Sequence, residues 1–436
     1  MNKLTITILP ALLLAACGGG GDSAPAAATA PEMIVVINRA PVPQPNADGA
    51  ALTFTASGSI DAANPFFKAF GNGRSCASCH TQADGWSITP QGLRARFAAT
   101  QGLDPVFSLN DGANSPNAPA GTIDQKRLAY SMLLTKGVIR VGLPVPSGAD
   151  FTLVRADDPY GFASAAELSL FRRPLPSANL AFAASLMWDT RETFPGASMD
   201  VNLLHQANSA VRGHAQAAVD LTAAEQRTIV DFEKSLFHAQ SSSSTAGDLT
   251  GLAGPARLST QPFQAGDRIA FRLFGAWTGD QNPARAAIAR GENLFNTRPM
   301  NITQVAGFAP LPQRGTCSSC HNALNTGSHS VARTFNTGVS AGILRTPDMP
   351  LYVLRNAATG EEMETTDPGV AMVTGRWGDI GRFKTPNLRG AAARAPYFHD
   401  GSARDLDAVV RFYDRRFRMG LDPQEIADMA AFLKAL

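Results

Sequence analysis

Two stretches of this chain put two thiols and an imidazole within five residues: Cys76-Ala77-Ser78-Cys79-His80 and Cys317-Ser318-Ser319-Cys320-His321. The spacing Cys-x-x-Cys-His is the attachment signature of a c-type haem. Both thiols add across vinyl groups of the macrocycle, and the adjoining histidine lies under the iron as its proximal ligand. Zinc is the competing chemistry, since two Cys-x-x-Cys pairs can supply four thiolates. Zinc gives no reason for a histidine after each pair. A disulfide framework is weaker again, because 436 residues can bury a core without staples. The sequence implies two covalently bound haem c groups, held by Cys76, Cys79, Cys317 and Cys320, with His80 and His321 on the irons.

The fifth cysteine bears on location. Lys3 is followed by an apolar run from Leu4 to Ala16, too short for a stable membrane span. The run ends in Leu14-Ala15-Ala16-Cys17, which resembles a bacterial lipoprotein cleavage box. That implies a signal peptide over 1–16 and a lipid anchor on Cys17. The alternative is an ordinary secretory signal with Cys17 incidental. Gly18, in place of an aspartate, favours the outer membrane of a Gram-negative bacterium over the inner one, and hence a periplasmic protein. Residues 17–50 are rich in Gly, Ala and Pro and predict a flexible tether. A net charge of +2 with 17% charged residues argues against a nucleic-acid partner.

The elements that must position these groups read as mostly helical. Thr222-Ala223-Ala224-Glu225 is a capping box followed by an apolar stripe at Ile229, Phe232 and Leu236. Asp422-Pro423-Gln424-Glu425 is a second box with Pro at the first helical position, followed by Ile426, Met429, Ala430 and Leu433. Ile288, Gly291 and Phe295 share one face of a helix opened by Pro283. Gly137 to Val141 and Phe151 to Val154 predict short strands, read as a hairpin inserted in the first domain. The run Ser241 to Asp248 predicts a boundary. The expected architecture is mainly α, with two cytochrome c-like haem domains wrapped by long loops. They span 51–240, with an insertion over about 111–165, and 261–436, joined by a linker over 241–260.

Two later segments carry a family resemblance: Phe383-Lys384-Thr385-Pro386-Asn387-Leu388-Arg389 and Ala395-Pro396-Tyr397-Phe398-His399-Asp400-Gly401. With Met187-Trp188-Asp189-Thr190-Arg191, they resemble the bacterial dihaem cytochrome c peroxidase and MauG superfamily. The resemblance covers roughly 60–110 and 165–436. It implies one haem per domain, a peroxide-reactive iron in the first and an electron-transfer iron in the second. It implies that Trp188 lies between them and that Gln206 maps onto an active-site glutamine. Where the family has a catalytic glutamate this chain has Gln216, with His214 two residues before. His214 can move a proton near neutral pH and stand in for that glutamate, or be an ordinary helix histidine. No histidine lies between His80 and His205, which favours an open first iron, unless His205 or His214 closes it.

For the second iron the resemblance offers Tyr413 by position, with Met419 six residues later. Met363 and Met372 satisfy only ordinary cytochrome spacing. His399 maps near the second haem, and the carbonyls of Arg394 and Pro396 onto an interdomain calcium site. The implied activity is reduction of hydrogen peroxide by a periplasmic donor such as a small cytochrome c or cupredoxin, in a chain that can pair as a homodimer. The alternatives are a MauG-like oxidase of an organic or protein substrate and a non-enzymatic electron-transfer lipoprotein. His329 and His238 receive no role.

Overall fold

The computed structural model describes residues 41–261, 264–266, 268–308 and 313–436. The signal over 1–16, Cys17 and most of the tether lie outside the described residues.

The helices follow their local chemistry. In Ala223–Ser235 the Thr222 hydroxyl accepts from the Glu225 N–H at 3.2 Å, and the Glu225 carboxylate accepts from the Thr222 N–H at 3.0 Å. Pro423–Lys434 repeats this with Asp422 and Glu425, at 2.8 and 3.0 Å. Pro283–Thr297 buries Ile288, Gly291 and Phe295 and packs against Pro423–Lys434. A Cβ on Gly291 would sit 2.0 Å from the Asp428 carbonyl oxygen, so only glycine lets the two backbones approach this closely. Phe271, Phe274, Phe295 and Phe432 fill the space around the contact, edge to face. A separate apolar cluster of Phe66, Trp86 and Phe232 supports the Cys76 motif.

The sheets correct the mainly α expectation, since the protein is about 34% helical and 17% strand. Gly49–Thr55 pairs antiparallel with Leu236–Ser243, flanked by Gln44–Asn46 and Gly247–Asp248. Two expectations shift here. The tether does not reach residue 50, because 44–55 is already a hairpin. The serine run is the end of a strand and a turn, with the Ser241 hydroxyl donating to the Ala50 carbonyl at 2.9 Å. Leu236, read as helical, is where helix gives way to strand. These strands escaped a search for alternation because they are buried on both faces: all five residues of Leu168–Arg172 are buried, as are the first six of Leu236–Ser243.

The inserted strands form where expected, at Ile139–Leu143 and Phe151–Asp157, but not as a hairpin with each other. Ile139–Leu143 pairs with Leu168–Arg172. Phe151–Asp157 pairs with Leu351–Asn356, which also pairs with Glu362–Thr365. The insertion thus reaches into the second half of the chain. Tyr352 locks the two sheets together, its hydroxyl donating to the Ser169 carbonyl at 2.8 Å and accepting from the Ser169 N–H at 3.0 Å. Strand Leu168–Arg172 delivers Arg172 and Arg173 to the centre of the molecule.

Candidate functional site

Both Cys-x-x-Cys-His segments fold as the same tight turn. The N–H groups of Cys79 and His80 donate to the Cys76 carbonyl at 3.1 and 3.0 Å, and those of Cys320 and His321 to the Cys317 carbonyl at 3.2 and 3.0 Å. A serine steadies each turn: Ser78 Oγ accepts from the Ser75 N–H and Ser319 Oγ from the Thr316 N–H, both at 3.0 Å. The turn brings both thiols and the imidazole to the wall of one cavity. His80 Nδ1 lies 3.0 Å from the Trp86 carbonyl, and His321 Nδ1 is bonded to the Gly327 carbonyl. Each ring therefore donates from Nδ1 and keeps Nε2 as the ligating atom. Burial lowers the His80 pKa and pushes that of His321 down to about 4, keeping both neutral.

The two cysteine pairs line separate cavities, with about 1520 and 1540 Å³ of atom-free space counted to their open mouths. That separation removes a shared four-thiolate zinc site.

The first cavity carries several polar and titratable side chains besides His80. Helix Met199–Gly213 puts Gln206 on its wall, and His214 follows at the helix end. His214 Nδ1 is 2.6 Å from Asp111 Oδ2. Asp111 is buried and also paired with buried Arg74. Burial alone would raise the Asp111 pKa; the His214 hydrogen bond and the Arg74 charge outweigh it and hold the carboxyl below its ordinary range. Glu233 lies on the same wall, buried, with Oε2 unpartnered, and burial pushes its pKa up to about 8. A second polar recess, reaching Glu167 and Glu192, shares His214 and Arg191 with this cavity.

His205 is absent from the cavity wall; it is paired to Glu192 at 2.6 Å with its side chain 56% exposed. Gln216 is exposed and reaches only the outer recess.

The second cavity is more aromatic. Tyr413 and Met419 both lie on its wall with His321. Tyr413 stacks on Phe417, and burial, countered in part by a Thr337 hydrogen bond, pushes its hydroxyl up to about 12. Met363 and Met372 lie elsewhere, in the core beneath the inserted strands. His399 is buried on the cavity wall, stacked on Phe383 at 4.3 Å; neither ring nitrogen has a hydrogen-bond partner, and Nε2 lies 3.9 Å from Asp367 Oδ2.

The cavities share a wall made by Arg173, Pro174–Pro176, Trp188, Lys384 and Asn387. Trp188 sits there with its indole N–H donating to the Arg173 carbonyl at 2.8 Å and its ring edge-on to His399 at 6.4 Å. Its neighbours Met187 and Thr190 adopt φ values of 58° and 62°. Such backbone costs about 1–3 kcal/mol per residue. It is held by Asp189, fully buried and paired to Arg172, which reaches Asp367 at 2.7 and 2.9 Å.

Haem fits this arrangement. Arg173, Lys384, Arg389 and Arg394 cluster beside the shared wall, and the hydrogen bonds they donate all end on backbone carbonyls. Burial pushes Lys384 down to about 8, Arg389 to about 9 and Arg173 and Arg394 to about 10. A buried guanidinium keeps its proton, so the cluster requires anions instead. Asn387 Nδ2, on both cavity walls, is also unpartnered. Haem propionates supply negative charge and acceptors of the kind this junction lacks.

No family model matches the chain. The cytochrome-c peroxidase IdrP2 of Denitromonas iodatirespirans is 32% identical over 146 residues, 30% of this chain and 39% of that protein. The cytochrome c551 peroxidase of Pseudomonas aeruginosa is 29% identical over 140 residues, 32% of this chain and 35% of that protein. Over about a third of its length the chain is thus similar to cytochrome c peroxidases. It covers about two fifths or less of either relative's own length. A solved MauG-like protein associated with microbial copper homeostasis aligns over 84% of this chain and 83% of its own, at 17% identity and a TM-score of 0.38. This partial likeness supports an oxidoreductase, over a third of the chain. Among the described residues no helix is long and apolar enough to cross a membrane.

Sequence reasoning missed the groups that hold the named ones. Asp111 lies in the stretch without family likeness, over a hundred residues from His214, and carries no local signal. Glu233 read as one more polar residue of an amphipathic helix. His238 is buried and linked through Thr53 Oγ1, at 3.0 Å, to the Trp86 indole N–H at 2.8 Å. It supports the same Trp86 whose carbonyl orients His80.

Proposed function

We propose that this chain carries two haem c groups and reduces hydrogen peroxide in the first cavity, with electrons arriving through the second. The observation that carries this reading is an asymmetry: His214, backed by Asp111, lines the first cavity and not the second, while Trp188 borders both. Haem held by Cys76, Cys79 and His80 would supply the redox chemistry. The protein supplies proton handling and position. One peroxide takes two electrons and two protons and yields two waters. His214 Nε2, with Nδ1 held by Asp111, moves a proton between the peroxide oxygens, and the Gln206 amide orients them. Trp188 lies on the electron path between the cavities.

Tyr413 is the proposed distal donor of the second iron, ahead of Met419. A phenolate is a hard donor that favours the ferric state. This also supports the second reading, a MauG-like oxidase of an organic or protein substrate. Domains over 51–240 and 261–436, a periplasmic location, a lipid anchor at Cys17, pairing of two copies and a small cytochrome or cupredoxin donor complete the proposal.

The test is the spin state of each haem in the isolated protein. One high-spin and one low-spin ferric signal, with steady peroxide consumption from reduced cytochrome c, is expected. Two low-spin signals that persist on one-electron reduction would leave only an electron carrier. Tyr413→Phe should remove the low-spin signal, and Met419→Leu should not. Trp188→Phe should slow peroxide turnover by about 10²-fold, the scale of a misplaced group, with haem content intact.

A further inference from the structure

Arg173 has more structural duties than its neighbours on the shared wall. It is buried, 5% exposed, and its guanidinium donates to three separate stretches of chain. Nη1 reaches the Lys136 carbonyl at 2.8 Å and, more weakly, that of Gly137 at 3.4 Å; Nη2 reaches those of Ile88 at 2.8 Å and Arg394 at 3.0 Å. No carboxylate is among these partners. Gly137 completes the cradle, since a Cβ there would lie 2.4 Å from Nη1. The backbone of Arg173 is equally engaged. Its N–H donates to the His399 carbonyl at 2.6 Å, and its carbonyl accepts the Trp188 indole N–H at 2.8 Å. One residue thus ties the segment after the first haem motif, the insertion, Trp188 and the His399 segment together.

The family likeness predicts calcium on the Arg394 and Pro396 carbonyls, and the local chemistry does not fit it. Calcium takes six to eight oxygen ligands. Here the Arg394 carbonyl is already taken by a guanidinium, and the Arg394 side chain adds a second cation close by. Its nitrogens donate to the Arg389 and Asn387 carbonyls at 2.7 and 3.1 Å. A divalent ion would have to displace one covalently held charge and sit beside another.

We propose that the Arg173 guanidinium is the fixed cation of this junction, in place of a bound calcium ion, and that it positions Trp188 between the two cavities. The proposal rests on haem loading of both cavities but not on peroxide as substrate, so it can fail or stand apart from that reading.

The test uses the full haem-loaded chain. Calcium is stripped with EGTA and then returned at millimolar concentration. Electron equilibration between the two haems is followed by stopped-flow absorbance after partial reduction, and bound calcium is measured by elemental analysis. The expected result is no bound calcium and a rate unchanged within about twofold, the margin for unlinked sites. Stoichiometric calcium whose removal slows equilibration by about tenfold, with recovery on its return, would overturn the proposal. In a second arm, Arg173→Ala should slow equilibration at least about tenfold with both Soret bands retained. Arg173→Lys, which keeps the charge without the fork, should recover part of that loss. If the alanine variant does not accumulate, the lysine variant decides, and a wild-type rate from it would remove Arg173 as a positioning residue.

Discussion

Around Cys76 and around Cys317 the backbone makes one and the same turn, and each proximal imidazole is held by a carbonyl six residues on. The remaining lining of the two cavities differs in kind. The first has Gln206, the His214–Asp111–Arg74 chain and the buried acid Glu233. The second has Tyr413, Met419 and stacked aromatic rings. The turn is a local problem, solved twice by the same five-residue spacing. What each site can do is set by side chains that arrive from distant segments. In the proposed reaction the proton-bearing groups line the first cavity, where bond cleavage would need protons; groups that could saturate an iron line the second, where an electron would only have to pass.

The largest expected effect tests that contrast directly. His214→Ala should lower the rate at which the first haem reacts with peroxide by about 10²–10⁴-fold, the usual worth of a positioned acid–base group. The low-spin spectrum of the second haem should not move. A loss seen first in the second haem's spectrum would mean that His214 serves the fold rather than the chemistry, and the contrast between the walls would collapse.

Asp111→Asn should cost less, about 10–100-fold, as for other groups that orient a functional histidine. An asparagine amide can offer His214 Nδ1 a donor, favouring the wrong tautomer. The pH profile of the peroxide reaction should move with the rate, which a merely structural change would not produce. The variant also leaves buried Arg74 without its carboxylate, so circular dichroism must first establish the folded fraction. An unchanged rate and profile in folded Asp111→Asn would mean that His214 acts unaided.

How much of this was legible beforehand follows the same division. The haem turns, Pro283–Thr297, Ala223–Ser235 and Pro423–Lys434 announce themselves within a few residues, through motif spacing, caps and apolar stripes. Trp188, Gln206, His399, Tyr413 and Met419 were found through likeness to a family, and the fold places all five on cavity walls. Asp111, Glu233 and the Arg173 cradle had no such signal. Their partners lie far off in sequence, and a buried Asp reads like any loop Asp until Arg74 and His214 are brought to it. The strands were underestimated for a related reason. Burial on both faces erases the alternation that marks a strand, and the partner of Phe151–Asp157 is nearly two hundred residues away.

The smallest expected effect separates the cavities by pH. Glu233 has an ordinary value near 4.5 in the unfolded chain and is raised to about 8 by burial beside the first cavity. Between those values the folded state holds a proton that the unfolded state has released. Stability therefore falls as pH rises through the window, and levels off above about 8. Glu292, also raised, contributes in the same direction but caps backbone N–H groups of Leu273 and Phe274 away from either iron. Glu233→Gln cannot ionise, so it should remove one component of the slope, on the order of 1 kcal/mol between pH 6 and pH 7. The measurement is chemical denaturation of the haem-loaded protein at both pH values. Equal slopes in wild type and variant would mean that haem, once attached, gives the Glu233 carboxylate a partner. The first cavity would then owe its proton chemistry to His214 and Asp111 alone.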